Sequence, residues 1–204
     1  WFVAAARAEA QTDTSRSLGT LIHAIAEEYP AADYATLSAV LQERLTTLAL
    51  PETWEGEETR RRAEKMIQKL AVYFKEIMPG DRRTLVGVEG AFKVRVPGEK
   101  LDAQISGRVD RLEVTEDGRY MIVDLKSGRT KPAKADIAQH AQLAAYQVAV
   151  EAGAGDTMSR ELGTEPAAHP GGAPGGSDDN VYRAMGHRSA GAALVQLGDG
   201  TAPT

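Results

Sequence analysis

Near residue 83 the hydrophobic period of this chain changes from about 3.6 residues to about 2, and no other feature restricts the possible folds as much. Before the change the pattern is helical. Residues 3–28 are predicted as a first helix, with Leu18, Leu21, Ile22 and Ile25 at the spacing of one buried stripe and Pro30 at its end. A second helix is expected over 33–49, with Asp33 as N-cap and Pro51 beyond it. A third, over 55–78, turns Met66, Leu70, Tyr73, Phe74 and Ile77 inward and stops at Pro79-Gly80. After the change, β-branched and aromatic residues alternate in Thr84–Val96, Ala103–Val114 and Arg119–Lys126. Turns at Pro97-Gly98 and Glu116-Asp117-Gly118 separate these runs, so the sheet should begin as an antiparallel meander.

Helical spacing returns over 136–151, where Ile137, Ala141, Ala144, Ala145 and Val148 are expected to face the core. Residues 153–176 hold seven of the 20 glycines and three of the 9 prolines, the composition of a flexible loop. The run Ala192–Leu197 can close the sheet with a final strand. The expected class is therefore α/β, with a mixed central sheet flanked by helices and a helical N-terminal third. One domain is expected, made of a helical part (1–82), a sheet-and-helix core (83–152), a Gly/Pro-rich loop (153–190) and a closing strand with its tail (191–204).

Composition narrows the function classes. The 204 residues, 42% of them hydrophobic, suffice for one substantial core. With 24 Lys and Arg against 29 Asp and Glu, the net charge of −5 gives no whole-chain attraction to polyanions, which leaves local basic patches to bind them. There is no cysteine, which excludes disulfides, thiolate zinc sites and a cysteine-held iron–sulfur cluster, and fits a cytoplasmic location. No apolar run reaches the roughly 18 residues of a membrane span, and no signal-peptide pattern is present. The start at Trp1-Phe2-Val3, without Met, leads us to expect a piece of a longer polypeptide.

Strand alternation sets Tyr120, Ile122, Asp124 and Lys126 on one face and Met121, Val123 and Leu125 on the other. Asp-x-Lys alone equally describes an ordinary ion pair at a strand end. A second carboxylate, Asp110, lies one hairpin earlier, and the turn at 116–118 is midway between 110 and 124, so antiparallel pairing can bring the two together. Close carboxylates repel unless they share a proton or a cation, and Mg²⁺ bridges such oxygens to phosphate while keeping waters of its own. His23 points away from the apolar stripe of its helix and shares a face with Gly19, which leaves room for another element. A hydrogen-bonded surface histidine fits that position as well. Gln142 and Tyr146, four residues apart, point the same way and can bond a phosphate oxygen or a metal-bound water; a partly buried amide and a half-core tyrosine are the plainer alternative. His140 and His187 read as surface residues. Lys126, Arg129, Lys131 and Lys134 put four positive charges into nine residues with no acid among them, which suits a phosphate backbone. Arg60-Arg61-Arg62 with Lys65 and Lys69 reads as a solvated helix face interleaved with Glu57, Glu58 and Glu64.

Taken in order, Gly19-x-x-x-His23, Gly107-Arg-Val-Asp110-Arg, Val123-Asp124-Leu-Lys126-Ser-Gly and Gln142-x-x-x-Tyr146 resemble the motif series of the PD-(D/E)xK nucleases. The resemblance is greatest to the RecB-type domain, as in AddB- and AdnB-like proteins, and spans residues 15–150, with Ala192–Gly198 similar to the closing strand. It implies a restriction-endonuclease-like core. It further implies that His23, Asp110, Asp124 and the backbone carbonyl of Leu125 bind Mg²⁺, for which Mn²⁺ can substitute, and that Asp110, Asp124 and Lys126 are catalytic, with Lys126 holding the attacking water. Gln142 and Tyr146 would steady the site or the strand. Glu89 matches an acidic position of the first strand whose role the resemblance does not supply, and Arg108 and Arg111 are expected to be structural. Val109 stands where the motif has proline, and the Gly/Pro-rich stretch from 153 onward matches nothing.

The implied activity is metal-dependent hydrolysis of DNA phosphodiesters to 5′-phosphate ends, chiefly as an exonuclease, in the nuclease module of a helicase–nuclease of double-strand break repair. The implied partners are DNA, as a single strand, and a helicase motor in the same polypeptide or a partner subunit; no membrane is expected. One alternative is a catalytically silent module that docks DNA or a helicase subunit, although its ligands are intact. The other is a nucleotide phosphoesterase, against which stands the absence of a GxxxxGK[ST] loop.

Overall fold

The computed structural model of the chain describes residues 16–98, 101–128, 137, 140–164 and 188–198. They fall into two compact units, neither of which is one continuous stretch. The first comprises the chain up to Ile77 with Leu125–Lys131 and Val195–Thr204; the second comprises Met78–Asp124 and Pro132–Leu194. The segments expected from the sequence are thus interleaved.

The first unit is built on helices α1 (residues 16–28), α2 (Tyr34–Leu45) and α3 (Trp54–Val72). Leu18, Ile22 and Ile25 of α1 are fully buried, as their spacing predicts, while Leu21 is half-buried. The N-cap expected at Asp33 is present: its Oδ1 accepts a hydrogen bond from the Thr36 amide at 2.9 Å. That bond holds the Asp33 carboxyl below its ordinary range. Helix α2 buries Leu37, Leu41 and Leu45 and packs against α3, where Gln42 Nε2 donates to Glu64 Oε1 at 2.9 Å. Thr53 caps α3, and Met66, Ile67 and Leu70 form its inner face. The helix runs on into a π turn, Tyr73–Ile77, where the neighbours Tyr73 and Phe74 are both buried and meet edge to face at 6.2 Å.

The second unit holds most of a mixed four-stranded sheet in the order β1 (Arg83–Val96), β2 (Ala103–Thr115), β3 (Tyr120–Lys126) and β4 (Ser189–Gln196). The first three strands form the predicted antiparallel meander. Strands β3 and β4 run parallel. At one end the Tyr120 amide donates to the Arg188 carbonyl (2.8 Å), and at the other the Leu197 amide donates to the Lys126 carbonyl (2.9 Å). Parallel neighbours need a crossover, and helices α4 (Ala141–Glu151) and α5 (Ala154–Glu161) lie in that connection. This arrangement of sheet and helices matches the fold class expected from the sequence.

Helix α5 replaces the flexible loop expected over residues 154–161, while residues 165–187 of that expected loop lie outside the described residues. Ala154 and Met158 are fully buried, and Gly155 lies where a Cβ would come within 2.2 Å of the Tyr120 ring. Gly155, which reads as a loop residue, is there because an aromatic ring fills its side-chain space. The inward face of α4 also differs from the expected one. Leu143, Tyr146, Ala149 and Val150 are buried, whereas Ala141, Ala144 and Val148 are exposed and Ala145 half-buried; Ile137, ahead of the helix, is half-buried and packs against the core as expected. The sequence Ala-Gln-Leu-Ala-Ala-Tyr-Gln-Val-Ala-Val is apolar on nearly every side, so its period does not single out a face, and the largest side chains take the core. They join Phe92, Val94, Leu112, Tyr120 and Ile122 from the sheet.

Away from that core, Glu113 is fully buried between two arginines. Its Oε2 accepts from Arg83 Nη1 at 2.7 Å and its Oε1 from Arg111 Nε at 2.8 Å. Arg111 therefore has the structural part expected of it.

Candidate functional site

The meander brings carboxylates together at an irregularity in its pairing. Between Leu85 and Gly87 the β1–β2 register shifts by one residue, and it then runs Gly87↔Leu112, Val88↔Arg111 and Gly90↔Val109. Glu89 thus stands opposite Asp110, in the rung between the last two. Its backbone is left-handed, with φ 51°, in the middle of a strand. For a residue with a side chain this costs on the order of 1–2 kcal/mol, and bulges and strain of this kind re-aim side chains beside functional sites. The carboxylate oxygens of Glu89 and Asp110 lie within 4.8 Å of each other, and both residues are half-buried. Two carboxylates this close repel unless a proton or a cation is shared. Glu89 Oε2 also meets Arg108 Nη1 at 3.4 Å, an ion pair weakened by the largely exposed guanidinium.

On the other side of β2 the register runs from Val114↔Tyr120 to Arg111↔Val123. One step further it sets Asp124 across from Asp110, so Glu89, Asp110 and Asp124 stand at successive positions across β1, β2 and β3. Asp124 is buried, and its Oδ1 accepts a hydrogen bond from Gln142 Nε2 of α4 at 2.9 Å. The same amide nitrogen donates to the Tyr146 hydroxyl at 2.8 Å, and that hydroxyl donates to the Arg108 carbonyl at 3.3 Å. The i, i+4 pair expected to face one way does so, and it ties the helix to the Asp124 carboxylate and to the strand carrying Asp110.

The first unit holds the residues that follow Asp124. The Lys126 carbonyl accepts from the amides of Leu197 (2.9 Å) and Gly198 (3.2 Å). Gly19 of α1 is buried against this segment, where a Cβ would stand 2.6 Å from Ser127 Oγ. This is the close approach that a glycine at this position predicts. His23, one turn later on α1, is half-buried. Arg129, Lys131, Lys134 and His187 lie outside the described residues. His140, read from the sequence as a surface residue, is half-buried at the N-terminal boundary of α4.

The basic run on α3 is only partly the solvated face it was expected to be. Arg60 and Arg61 pair with Glu57 and Glu58, one turn earlier, on the outside. Arg62 turns inward, is 7% exposed, and donates from Nη2 to the Ser127 carbonyl at 2.9 Å. Lys69, seven residues on and so on the same face, donates to the Gly198 carbonyl. The i, i+7 spacing of Arg62 and Lys69 was the available signal, and the surrounding glutamates obscured it.

The carboxylates of Glu89 and Asp110 offer hard oxygens, which suit Mg²⁺ or Mn²⁺ over soft, thiolate-seeking metals. Among the described residues no helix is long and apolar enough to cross a membrane. A family model described as the PD-(D/E)XK nuclease superfamily matches residues 1–176. A search of curated proteins returns no match.

Proposed function

Starting from the fact that the chain belongs to the PD-(D/E)XK nuclease superfamily, we propose that it is a divalent-metal-dependent deoxyribonuclease that hydrolyses phosphodiester bonds and leaves 5′-phosphate ends. The observation that carries this reading is the meeting of Asp110 with Glu89, whose backbone is left-handed just past a register shift in β1, with Asp124 next in register and hydrogen-bonded by Gln142. Asp110, Asp124, the Leu125 carbonyl and His23 are the ligands we assign to Mg²⁺ or Mn²⁺, and Glu89 joins them as a carboxylate of the same site. When bound, such an ion lowers the pKa of a coordinated water and offsets charge on the phosphoryl group in the transition state.

The remaining roles belong to the chain's own side chains. Lys126 shares its strand face with Asp124 by alternation, so its ammonium can hold the attacking water and add positive charge beside the phosphate. Gln142 keeps the Asp124 carboxylate in one orientation, and Tyr146 keeps Gln142 in place. Arg129, Lys131 and Lys134 draw the DNA backbone toward the end of β3. The motif series further supports assignment to the RecB-type branch. On that reading the chain is an exonuclease, with endonuclease activity within its reach, acting on a single strand delivered by a helicase motor during double-strand break repair.

The test is cleavage of end-labelled single- and double-stranded DNA with Mg²⁺, Mn²⁺ or EDTA, beside Asp124→Ala. Metal-dependent cutting that disappears in the folded variant is the expected result. Substantial cutting by folded Asp124→Ala would overturn the site, and DNA binding without cutting by the wild type would favour a silent docking module.

A further inference from the structure

We infer that Arg62, in the middle of α3, is a positioning residue for Lys126: its guanidinium fixes the chain that follows the lysine, and with it the direction of the ammonium. The inference rests on the role proposed above for Lys126. Ser127-Gly128 has little stiffness of its own, since Gly128 has no side chain and a Cβ there would meet nothing within 4 Å. Yet three successive carbonyls of this segment are held. That of Lys126 accepts from the Leu197 and Gly198 amides, that of Ser127 from Arg62 Nη2 at 2.9 Å, and that of Gly128 from Gln196 Nε2 at 2.6 Å. Close backbone contact completes the clamp, because a Cβ on Gly198 would lie 1.8 Å from the Gly128 carbonyl oxygen.

Arg62 differs from the other members of the clamp. Leu197, Gly198 and Gln196 come from the end of β4 and the residues just after it, and would move with that strand. Arg62 reaches the segment from a helix whose inner face is anchored by Met66, Ile67 and Leu70, all within 1% of complete burial. Taking a guanidinium out of water is unfavourable, and a hydrophobic residue of similar size would fill the space with less penalty. Its guanidinium instead donates to the backbone carbonyl one residue past Lys126, where it can place that segment. A displacement of about 1 Å at a catalytic group can lower the rate about 100-fold.

Arg62→Ala and Arg62→Lys separate this from a plain packing role, with kcat and KM measured on DNA and amide hydrogen exchange measured without substrate. In Arg62→Ala we expect kcat to fall by about 10- to 100-fold with KM little changed, and low concentrations of guanidinium to restore part of the rate. Arg62→Lys should lie between. We also expect faster exchange at the Leu197 and Gly198 amides, with the α2 and α3 core amides unaffected. Unchanged exchange at those two amides would overturn the clamp whether or not the protein cleaves DNA, so this arm stands even if the nuclease reading fails. If exchange rises but kcat does not, or if only KM rises, the clamp exists without positioning Lys126 and the inference is overturned.

Discussion

Replacing Tyr146 by Phe removes one oxygen from the middle of the second unit and leaves the packing of the ring in place. The ring is 8% exposed and stands edge-on to Phe92, with centroids 6.3 Å apart, and Phe keeps both features. The hydroxyl accepts from Gln142 Nε2 at 2.8 Å and donates to the Arg108 carbonyl at 3.3 Å. A typical hydrogen bond contributes about 1 kcal/mol net, and the longer of these two falls at the low end of that range. Gln142 is half-buried and can recover part of its loss from water. Tyr146→Phe should therefore cost about 1–2 kcal/mol, which for a chain of this size lowers the melting temperature by roughly 2–8 °C. Tyr146→Ala adds a cavity and should cost about 3–5 kcal/mol. Urea unfolding of both variants measures the difference. The same oxygen matters to the site, because with one fewer restraint on Gln142 the Asp124 carboxylate is less well oriented. Mn²⁺ titration by calorimetry should show Tyr146→Phe binding more weakly than wild type, and Gln142→Leu weaker still, by about 10- to 100-fold. A Tyr146→Phe protein with unchanged stability and unchanged Mn²⁺ affinity would refute the network.

Glu113→Ala leaves Arg83 and Arg111 buried without their shared carboxylate and should cost about 3–5 kcal/mol, read from the urea midpoint; a loss under about 1 kcal/mol, as for a surface pair, would contradict the burial. Gly155→Ala would ordinarily stabilise a helix by up to about 1 kcal/mol, but here the new Cβ meets the Tyr120 ring at 2.2 Å. Overpacking of about 1–3 kcal/mol should reverse the sign, and a raised melting temperature would refute the contact. Because the Thr36 amide depresses the Asp33 pKa, Asp33 contributes stability at pH above its ordinary value of 3.8, and that contribution is lost as pH falls through the lower folded value. Asp33→Asn keeps a cap without a titrating charge, so in a pH series its stability relative to wild type should improve in acid; a difference that does not vary with pH would count against the cap.

The elements that proved legible were those in which one physical signal dominated. The stripe Leu18/Ile22/Ile25, the Asp33 cap and the alternating runs with turns at 97–98 and 116–118 each specified an element that the chain forms. Where the signals were weak or conflicted, the reading missed. The alanine-rich α4 has no polar face to fix its rotation. The α5 segment holds Gly153, Gly155 and Gly163, and reads as loop because nothing in its sequence reveals that Tyr120 occupies the space at Gly155.

The carboxylates show why a candidate site is harder to read than a fold. Pairing about the 116–118 turn sets Asp110 opposite Asp124, and that geometry follows from counting residues. Placing Glu89 opposite Asp110 requires knowing that β1 slips by one residue between Leu85 and Gly87, and no local pattern announces the slip. A strict period of 2 would put Gly87 and Gly90 on opposite faces, yet a side chain at either would run into the α5 segment, at Leu162 in the first case and Met158 in the second. The left-handed turn at Glu89 reconciles the two faces. One residue thus resets the phase of the strand and presents a carboxylate, and its φ is one that glycine would adopt without strain. Glu89→Gly should therefore stabilise the backbone at this position while weakening Mn²⁺ binding. Loss of stability in that variant would mean that the Arg108 ion pair, and not the site, keeps glutamate there.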